Sequence, residues 1–447
     1  MASARKRTRQ RRRVKSLIGS MREFLTPTVF KQVGNASKRR KSPRWKTHPL
    51  IYTLLLMTWC CGDSLPEKFE TAKGFYVLCC PKRKRPGKSF AGFEKAVAKL
   101  PMPVLRALAA AIRGRIELIF GERWKVGNLI PFGCDGTRQA CPRTEELERR
   151  LGSGGKEGSP PMIWNTSIVH LTLGIPWCWR WGTGGKASER SHLIAMLRWL
   201  PAAALIVADA GYVGYDVAAK MISANVWFLI RMSSNATFYS ETDQPLDEFR
   251  EGIVYYWPKT QQQDGKPAIR GRLMRIHSCR NKVDVWLFTN VEDPRRLSLE
   301  TAATCYRWRW ENEGFFRTYK RTLNKVTLRS RTIRLVHREA EASMIATQLL
   351  LCQGALAMPG GRKDNLPVMC SARRVLLEAR RDISPRRGLK PFSERIAQAQ
   401  RERRVRTSPK QKREWPRRKP HAPPHPPVLL RLTEEHKIKI HGQLQAV

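Results

Sequence analysis

Three acidic residues stand where carboxylate chemistry can be built. Asp135 lies in Gly133-Cys-Asp-Gly-Thr137, directly after a predicted strand from Val126 to Phe132. Asp209 directly follows the apolar run Ala203 to Ala208. A carboxylate at the end of a strand projects from a rigid scaffold into the crevice where α/β proteins place their sites. Each aspartate also has a plain structural reading. Asp-Gly is a common turn, and Asp209-Ala-Gly-Tyr212 can simply cap the helix that follows. The third acid lies in Tyr306-Arg-Trp-Arg-Trp-Glu-Asn-Glu-Gly-Phe-Phe-Arg-Thr-Tyr-Lys320. On a straight helix at about 100° per residue, Tyr306, Arg309, Glu313 and Lys320 share one face within about 60°, and Glu311 faces away. An ordinary amphipathic helix with an Arg309–Glu313 ion pair at i, i+4 would have the same pattern.

Taken together, these residue types suggest metal-assisted phosphodiester chemistry. Carboxylate oxygens are hard ligands suited to Mg²⁺, with Mn²⁺ able to substitute. Two such ions roughly 3.5–4 Å apart activate a water or a 3′-hydroxyl and stabilise the departing oxygen. Arg309 and Lys320 beside them suit backbone phosphates, the first as a fork and the second as a point charge. Other chemistries lack their motifs. Gly182-Thr-Gly-Gly185-Lys186 does not have the spacing of a phosphate-cradling loop, and there is no nucleophile elbow. The 11 cysteines include the adjacent pairs Cys60-Cys61 and Cys79-Cys80, but neither has zinc-site spacing. Free thiols in a reducing compartment are the better reading.

The elements that must position these acids read as follows. Residues 1–47 are dense in Lys and Arg, with Glu23 the only acid, and predict a flexible arm that meets phosphate. Residues 48–125 have helical spacing, as a small DNA-binding domain or as plain helical packing. Residues 126–232 read as strand, two strands joined at Gly174, helix, strand, helix, strand. The segment 141–160 is a polar, Gly-rich insertion. That order describes a mixed α/β layer with helices covering a sheet. Residues 233–297 break the pattern with β-like runs at 252–257, 269–276 and 283–289, read as an inserted β-rich subdomain and not a continuation of the sheet. Residues 298–355 return to helices, one over 299–321 and another over 330–353. Residues 356–447 are basic and Pro-rich.

With 84 Lys and Arg against 37 Asp and Glu, the chain carries a formal charge of +47, which calls for a polyanionic partner. The hydrophobic fraction of 41% excludes a wholly disordered chain, and no apolar run reaches the length of a membrane span. With no apolar segment behind the basic N-terminus, a cytoplasmic, nucleoid-associated location is expected.

The spacing Tyr306-x2-Arg309-x3-Glu313-x6-Lys320 resembles the Tyr-Arg-Glu-Lys signature of the IS4 group of bacterial insertion-sequence DDE transposases. Asp135 in Cys-Asp-Gly-Thr-Arg resembles the first catalytic aspartate of that group. Asp209 in Val-Ala-Asp-Ala-Gly-Tyr-Val-Gly-Tyr resembles the second. Ser188-Glu189-Arg190, Phe228-Leu-Ile-Arg231 and Arg317-Thr-Tyr-Lys320 are also similar. The likeness covers roughly residues 120–355. It implies an RNase H-like catalytic core interrupted by the β-rich insertion, with two divalent ions held by Asp135, Asp209 and Glu313. It further implies cut-and-paste transposition, with cleavage at terminal inverted repeats and attack of the freed 3′-hydroxyl on target DNA, in some relatives through a hairpin. Tyr306, Arg309, Arg317 and Lys320 would grip phosphates, and Trp257 or Trp286 would receive a flipped base. A homodimer would hold two DNA ends in synapsis. Two other readings compete: a nuclease that cuts without joining, and a non-enzymatic basic nucleic-acid-binding protein.

Overall fold

A computed structural model describes residues 16–35, 44–81, 85–120, 125–152, 158–183, 188–278, 283–358, 369–384, 392–397 and 425–445. The first helices are α1 (Leu17–Met21), capped by Ser16, and α2 (Pro27–Asn35). Leu17, Ile18, Met21, Phe24, Leu25, Val29 and Val33 are buried. The flexible arm expected over 1–47 is therefore corrected for 16–35: apolar residues at helical spacing pull this stretch into the core against the charge around it. Residues 1–15 and 36–43 lie outside the described set.

Four more helices follow: α3 (Thr47–Trp59), α4 (Leu65–Cys79), α5 (Phe90–Ala98) and α6 (Met102–Phe120). Helix α3 is apolar on all sides and is buried from Pro49 to Trp59, as such a helix must be. The chain then enters β1 (Ile130–Ala140) and the short α7 (Glu145–Leu151), which lies in the predicted polar insertion and buries Leu147 and Leu151. Next come β2 (Met162–His170), β3 (Ile175–Thr183), α8 (Glu189–Met196), β4 (Ala204–Ala208), α9 (Tyr215–Ser223) and β5 (Trp227–Met232). Strand β1 runs well past Phe132, so Asp135 sits inside the strand, opposite Ser167 of β2, and not beyond its end.

The insertion supplies β6 (Thr237–Ser240), β7 (Glu251–Tyr256), α10 (Lys259–Gln263), β8 (Ile269–Ser278) and β9 (Val283–Thr289). These strands correct a second expectation. They do extend the sheet, because β9 pairs antiparallel with β5 through Leu229↔Thr289 to Met232↔Trp286. The helical elements that follow are α11 (Leu299–Trp308), α12 (Glu311–Arg317), α13 (Ile333–Ala357), α14 (Ala372–Ile383) and α15 (Phe392–Ala397). A last strand, β10 (Val428–Arg431), lies parallel to β6, and α16 (Glu434–Gln445) ends the described chain. The basic Pro-rich region thus returns to the sheet; residues 398–424 lie outside the described set.

All ten strands make one sheet in the order β10-β6-β7-β8-β9-β5-β4-β1-β2-β3. Helix α11 packs against β4 and β8 and α12 against β1. Leu205, Val207 and Leu229 meet Ala302, Cys305 and Trp308 on that face. The opposite face, with Phe132, Ile206 and Phe228, meets α8 and α9 in the main core. Helix α13, buried almost continuously from Ala340 to Ala355, is the axis round which α3, α5, α6, α14 and α15 pack. The helices before the sheet therefore share a core with those after it. No helix among the described residues is long and apolar enough to cross a membrane, and the described cysteines are free thiols.

Candidate active site

The two aspartates meet through strand register. Strands β1 and β4 are parallel neighbours, paired from Ile130↔Ala204 to Gly133↔Val207. Carried two residues further, that register sets Asp135 level with Asp209, about one interstrand spacing of 4.8 Å away. By the two-residue alternation of strands, both lie on the face of Gly133 and Val207. Each carboxylate commits one oxygen to a backbone donor. Gly136 N–H donates to Asp135 Oδ1 at 2.8 Å, and Gly211 N–H donates to Asp209 Oδ1 at 2.9 Å. Asp209 thereby also caps the short 3-10 turn at Ala210–Tyr212.

A third carboxylate adds its charge to the pair. Glu189, in the first turn of α8, reaches the pair because Gly136 has no side chain; a Cβ there would overlap Glu189 Oε1. Tyr212 donates its hydroxyl to Glu189 Oε2 at 3.2 Å. Burial pushes the Asp135 carboxyl up from 3.8 to about 6. The Gly136 N–H opposes that rise, the negative charges of Glu189 and Asp209 add to it, and Arg309 moderates it. Burial also raises Glu189, with the Asp209 charge adding to the effect. Carboxylates crowded in this way favour a neutralising cation or a shared proton.

The third wall is the segment around Glu313, and the single straight helix expected over 299–321 does not form. Helix α11 ends at Trp308, a turn at Arg309 and Trp310 follows, and α12 runs only to Arg317. Residues Thr318–Thr322 then form a π-helical turn, ended by Asn324 in the left-handed conformation. A uniform 100° wheel therefore fails across this stretch. Tyr306 and Arg309 still come together, with the Arg309 guanidinium 5.7 Å from the Tyr306 ring and 4.7 Å from that of Trp310. Arg309 is buried, and its Nε has no partner among the described residues. Burial raises the Tyr306 hydroxyl, which sits among the charges of Arg309, Arg231 and Asp209 and is bonded to Arg231.

Glu313 is exposed on α12. Its neighbour Asn312 is fully buried against β1, at the place where Gly133 leaves room; a Cβ on Gly133 would overlap the amide. The helix bearing Glu313 is thus seated two residues from Asp135. Glu311 turns towards a different cavity, shared with Gly174, Met369 and Arg373. Arg317 is exposed, and Lys320 is half-buried with its ammonium held below the usual range by burial. Among the described residues, no three His, Cys, Asp or Glu side chains are placed to hold one metal ion.

Trp257 and Trp286, the expected base-stacking residues, are both inside the protein, 1% and 5% exposed. Trp257 donates its indole N–H to Lys266 O at 2.8 Å and packs on His436 of α16. Trp286 lies against Phe249 and under Arg275. The return of β10 and α16 to the sheet, invisible in local pattern, covers the first of them. The sequence reading gave no role to Glu189, Arg231 or Asn312. Their only signal is that Glu189 and Arg231 lie in stretches, Ser188–Arg190 and Phe228–Arg231, that resemble the family.

Residues 135–349 match the family described as the transposase DDE domain. The matched segment, 215 of the 447 residues, holds Asp135, Asp209, Glu189 and Glu313. No curated protein sequence matches the chain. Among solved structures, the chain is similar to a piggyBac transposase synaptic complex with hairpin DNA, seen by cryo-electron microscopy. The TM-score is 0.41 and the identity 11%, over 91% of this chain and 90% of that one.

Proposed function

We propose that this protein is a cut-and-paste DNA transposase of an insertion sequence, similar to the IS4 group. It would bind terminal inverted repeats, cleave there and join the freed ends to target DNA, working as a homodimer that pairs two ends. The observation that carries this reading is the register of β1 on β4, which sets Asp135 beside Asp209 within the segment that matches the DDE domain. The strand order β3-β2-β1-β4-β5, with the first three antiparallel and the last two parallel additions, supports an RNase H-like core.

The donor set fits a hard divalent cation. Asp135 and Asp209 each keep one oxygen not engaged by the backbone, and their crowding with Glu189 is the electrostatic condition a cation relieves. We assign Asp135, Asp209 and Glu313 as the residues that would hold two Mg²⁺ ions. Bound there, such ions would lower the pKa of an attacking water or 3′-hydroxyl and stabilise the leaving oxygen. The chain's own groups then do the positioning. Arg309, buried against the Tyr306 and Trp310 rings with its Nε uncommitted among the described residues, offers a guanidinium fork to a phosphate. Tyr306 is held by Arg231 so that its hydroxyl stays by Asp209. Lys320 extends the positive lining on the π-helical turn, whereas Arg317 lines the separate cavity that Glu311 shares. Helix α12, bounded by a turn and that π segment, is the element that would bring Glu313 to the aspartates when DNA binds.

The test is a cleavage and joining assay with purified protein, Mg²⁺ and DNA ending in the element's inverted repeats. Wild type should nick, excise and integrate. Asp135→Asn, Asp209→Asn and Glu313→Gln should each lose cleavage by at least about a thousandfold while still binding the ends. Lys320→Ala should release the cut end faster yet still nick the first strand. Cleavage that survives all three carboxylate changes would reject the assignment, and cutting without joining would reduce it to a nuclease.

A further inference from the structure

A cavity of about 550 Å³ lies away from the acidic cluster, between α6, β3 and α13. Its walls are arginine and tryptophan. Helix α6 contributes Arg106 and Arg113, seven residues apart and so on one face. Strand β3 contributes Arg180, the 3-10 turn after α8 contributes Arg198 and Trp199, and α13 contributes Arg338. The one carboxylate in the lining is Glu341, whose Oε2 accepts the Trp181 indole N–H at 2.8 Å. Burial pushes that carboxyl up, against the Trp179 and Trp181 indoles and the charges of Arg106 and Arg113. Five guanidiniums thus face one engaged carboxylate. Among the described residues, none of Arg106, Arg180 and Arg198 forms an ion pair.

The aromatic part of the lining is arranged for stacking. Two guanidiniums lie near the Trp199 ring, Arg198 at 5.2 Å and Arg113 at 5.6 Å from its centroid. Its backbone is fixed, since Trp199 O accepts the Trp177 indole N–H at 2.8 Å. Arg338 is fixed too, with Nε donating to Leu100 O at 3.0 Å and an Nη to Arg334 O at 2.9 Å. Planar forks match phosphate oxygens, and indole or guanidinium planes stack on any base. A cavity of this volume is the size of known small-ligand sites, in the range of roughly 300–1,000 Å³.

We infer that this cavity is a second nucleic-acid site, taking one nucleotide unit with its phosphate on the arginines and its base against Trp199. An acidic peptide would satisfy the guanidiniums but use the Trp199 indole for nothing, whereas a base can stack on it, so a nucleotide fits better. The inference does not depend on the carboxylate chemistry, and its test is run in EDTA, where cleavage is silent.

Anisotropy of a fluorescein-labelled oligothymidylate is measured against full-length protein over a salt series. The double variant Arg106→Gln/Arg198→Gln removes two cavity charges that make no ion pair among the described residues. Arg149→Gln/Arg295→Gln removes two exposed charges elsewhere and serves as the charge-matched control. The cavity variant should lose about tenfold or more in affinity and reduce the log–log salt slope by about one, at roughly 0.7 per phosphate contact on a single strand. The control should lose about twofold at most. Trp199→Leu should also weaken binding with the slope unchanged, and an iodouracil oligonucleotide should crosslink to the peptide containing Trp199. Free thymidine monophosphate that competes identifies a pocket open to single nucleotides. If it fails to compete while the oligonucleotide still depends on the arginines, the site takes a unit within a strand. Equal losses in the two double variants, or binding of a polyglutamate peptide in place of the oligonucleotide, would overturn the inference.

Discussion

Replacing Asp135 by asparagine should stabilise the metal-free protein above neutral pH while removing its proposed activity. In the fold, burial together with the charges of Glu189 and Asp209 raises this carboxyl from 3.8 to about 6. Between those values the folded protein binds more protons at this site than the unfolded chain. Stability therefore falls as pH rises through that window and stays reduced above it. A displacement of that size corresponds to at most ~3 kcal/mol. Asp135 is only partly buried, so solvent screening brings the expected figure to ~1–2 kcal/mol. The asparagine is nearly isosteric and its Oδ1 can keep the Gly136 N–H. Thermal unfolding in EDTA should thus show Asp135→Asn with a higher Tm than wild type at about pH 8 and an equal one at about pH 4. Added Mg²⁺ should then stabilise wild type by ~2.7 kcal/mol at a hundredfold excess over Kd and leave the variant unmoved. A variant that melts lower than wild type equally at both pH values would refute the claim that this carboxylate is crowded. A Mg²⁺ response equal in both proteins would refute the claim that the cation sits there.

Three further outcomes follow from the packing. Gly133→Ala should push Asn312 and α12 off β1, costing about 1–3 kcal/mol of stability and most of the cleavage, with DNA binding retained by gel shift. Glu311→Gln should be mild where Glu313→Gln is inactive, because Glu311 turns to a separate cavity; equal losses in the cleavage assay would reject the assignment of the two faces. Glu339 accepts from the N–H groups of Arg329 at 3.0 Å and Ser330 at 2.8 Å and pairs with Lys325 at 3.3 Å. Burial alone would raise its carboxyl, but these partners outweigh burial and hold it below the usual range. Glu339→Ala should cost about 3–5 kcal/mol in urea unfolding at neutral pH. That penalty should shrink in acid, since a depressed carboxyl contributes its stability above its ordinary value and loses it as pH falls through the folded one.

What was legible in the sequence was local. The apolar run Ala204–Ala208 ended by Asp209, the Tyr306–Lys320 spacing and the long apolar helix after residue 330 all depend on neighbours a few residues away, where periodicity speaks directly. Sequence pattern ends the first strand at Phe132 because Gly133 and the Asp135–Gly136 pair mimic a turn; in the fold Val169, Ser167 and Thr166 on β2 hold these three residues extended. The insertion looks separate in sequence because nothing in 283–289 states that β9 will pair with β5.

By itself, then, the chain determined the residue types able to grip a cation and a phosphate, and the positive charge that demands a polyanion. Only the tertiary structure decided which of them meet. The register of β1 on β4 aligns Asp135 with Asp209. A missing Cβ at Gly136 admits Glu189, and another at Gly133 seats α12. A strand and helix returning from 428–445 bury Trp257. Each is a contact between residues far apart in the chain, selected by hydrogen-bond register and close packing, and neither force leaves a periodic mark in the sequence.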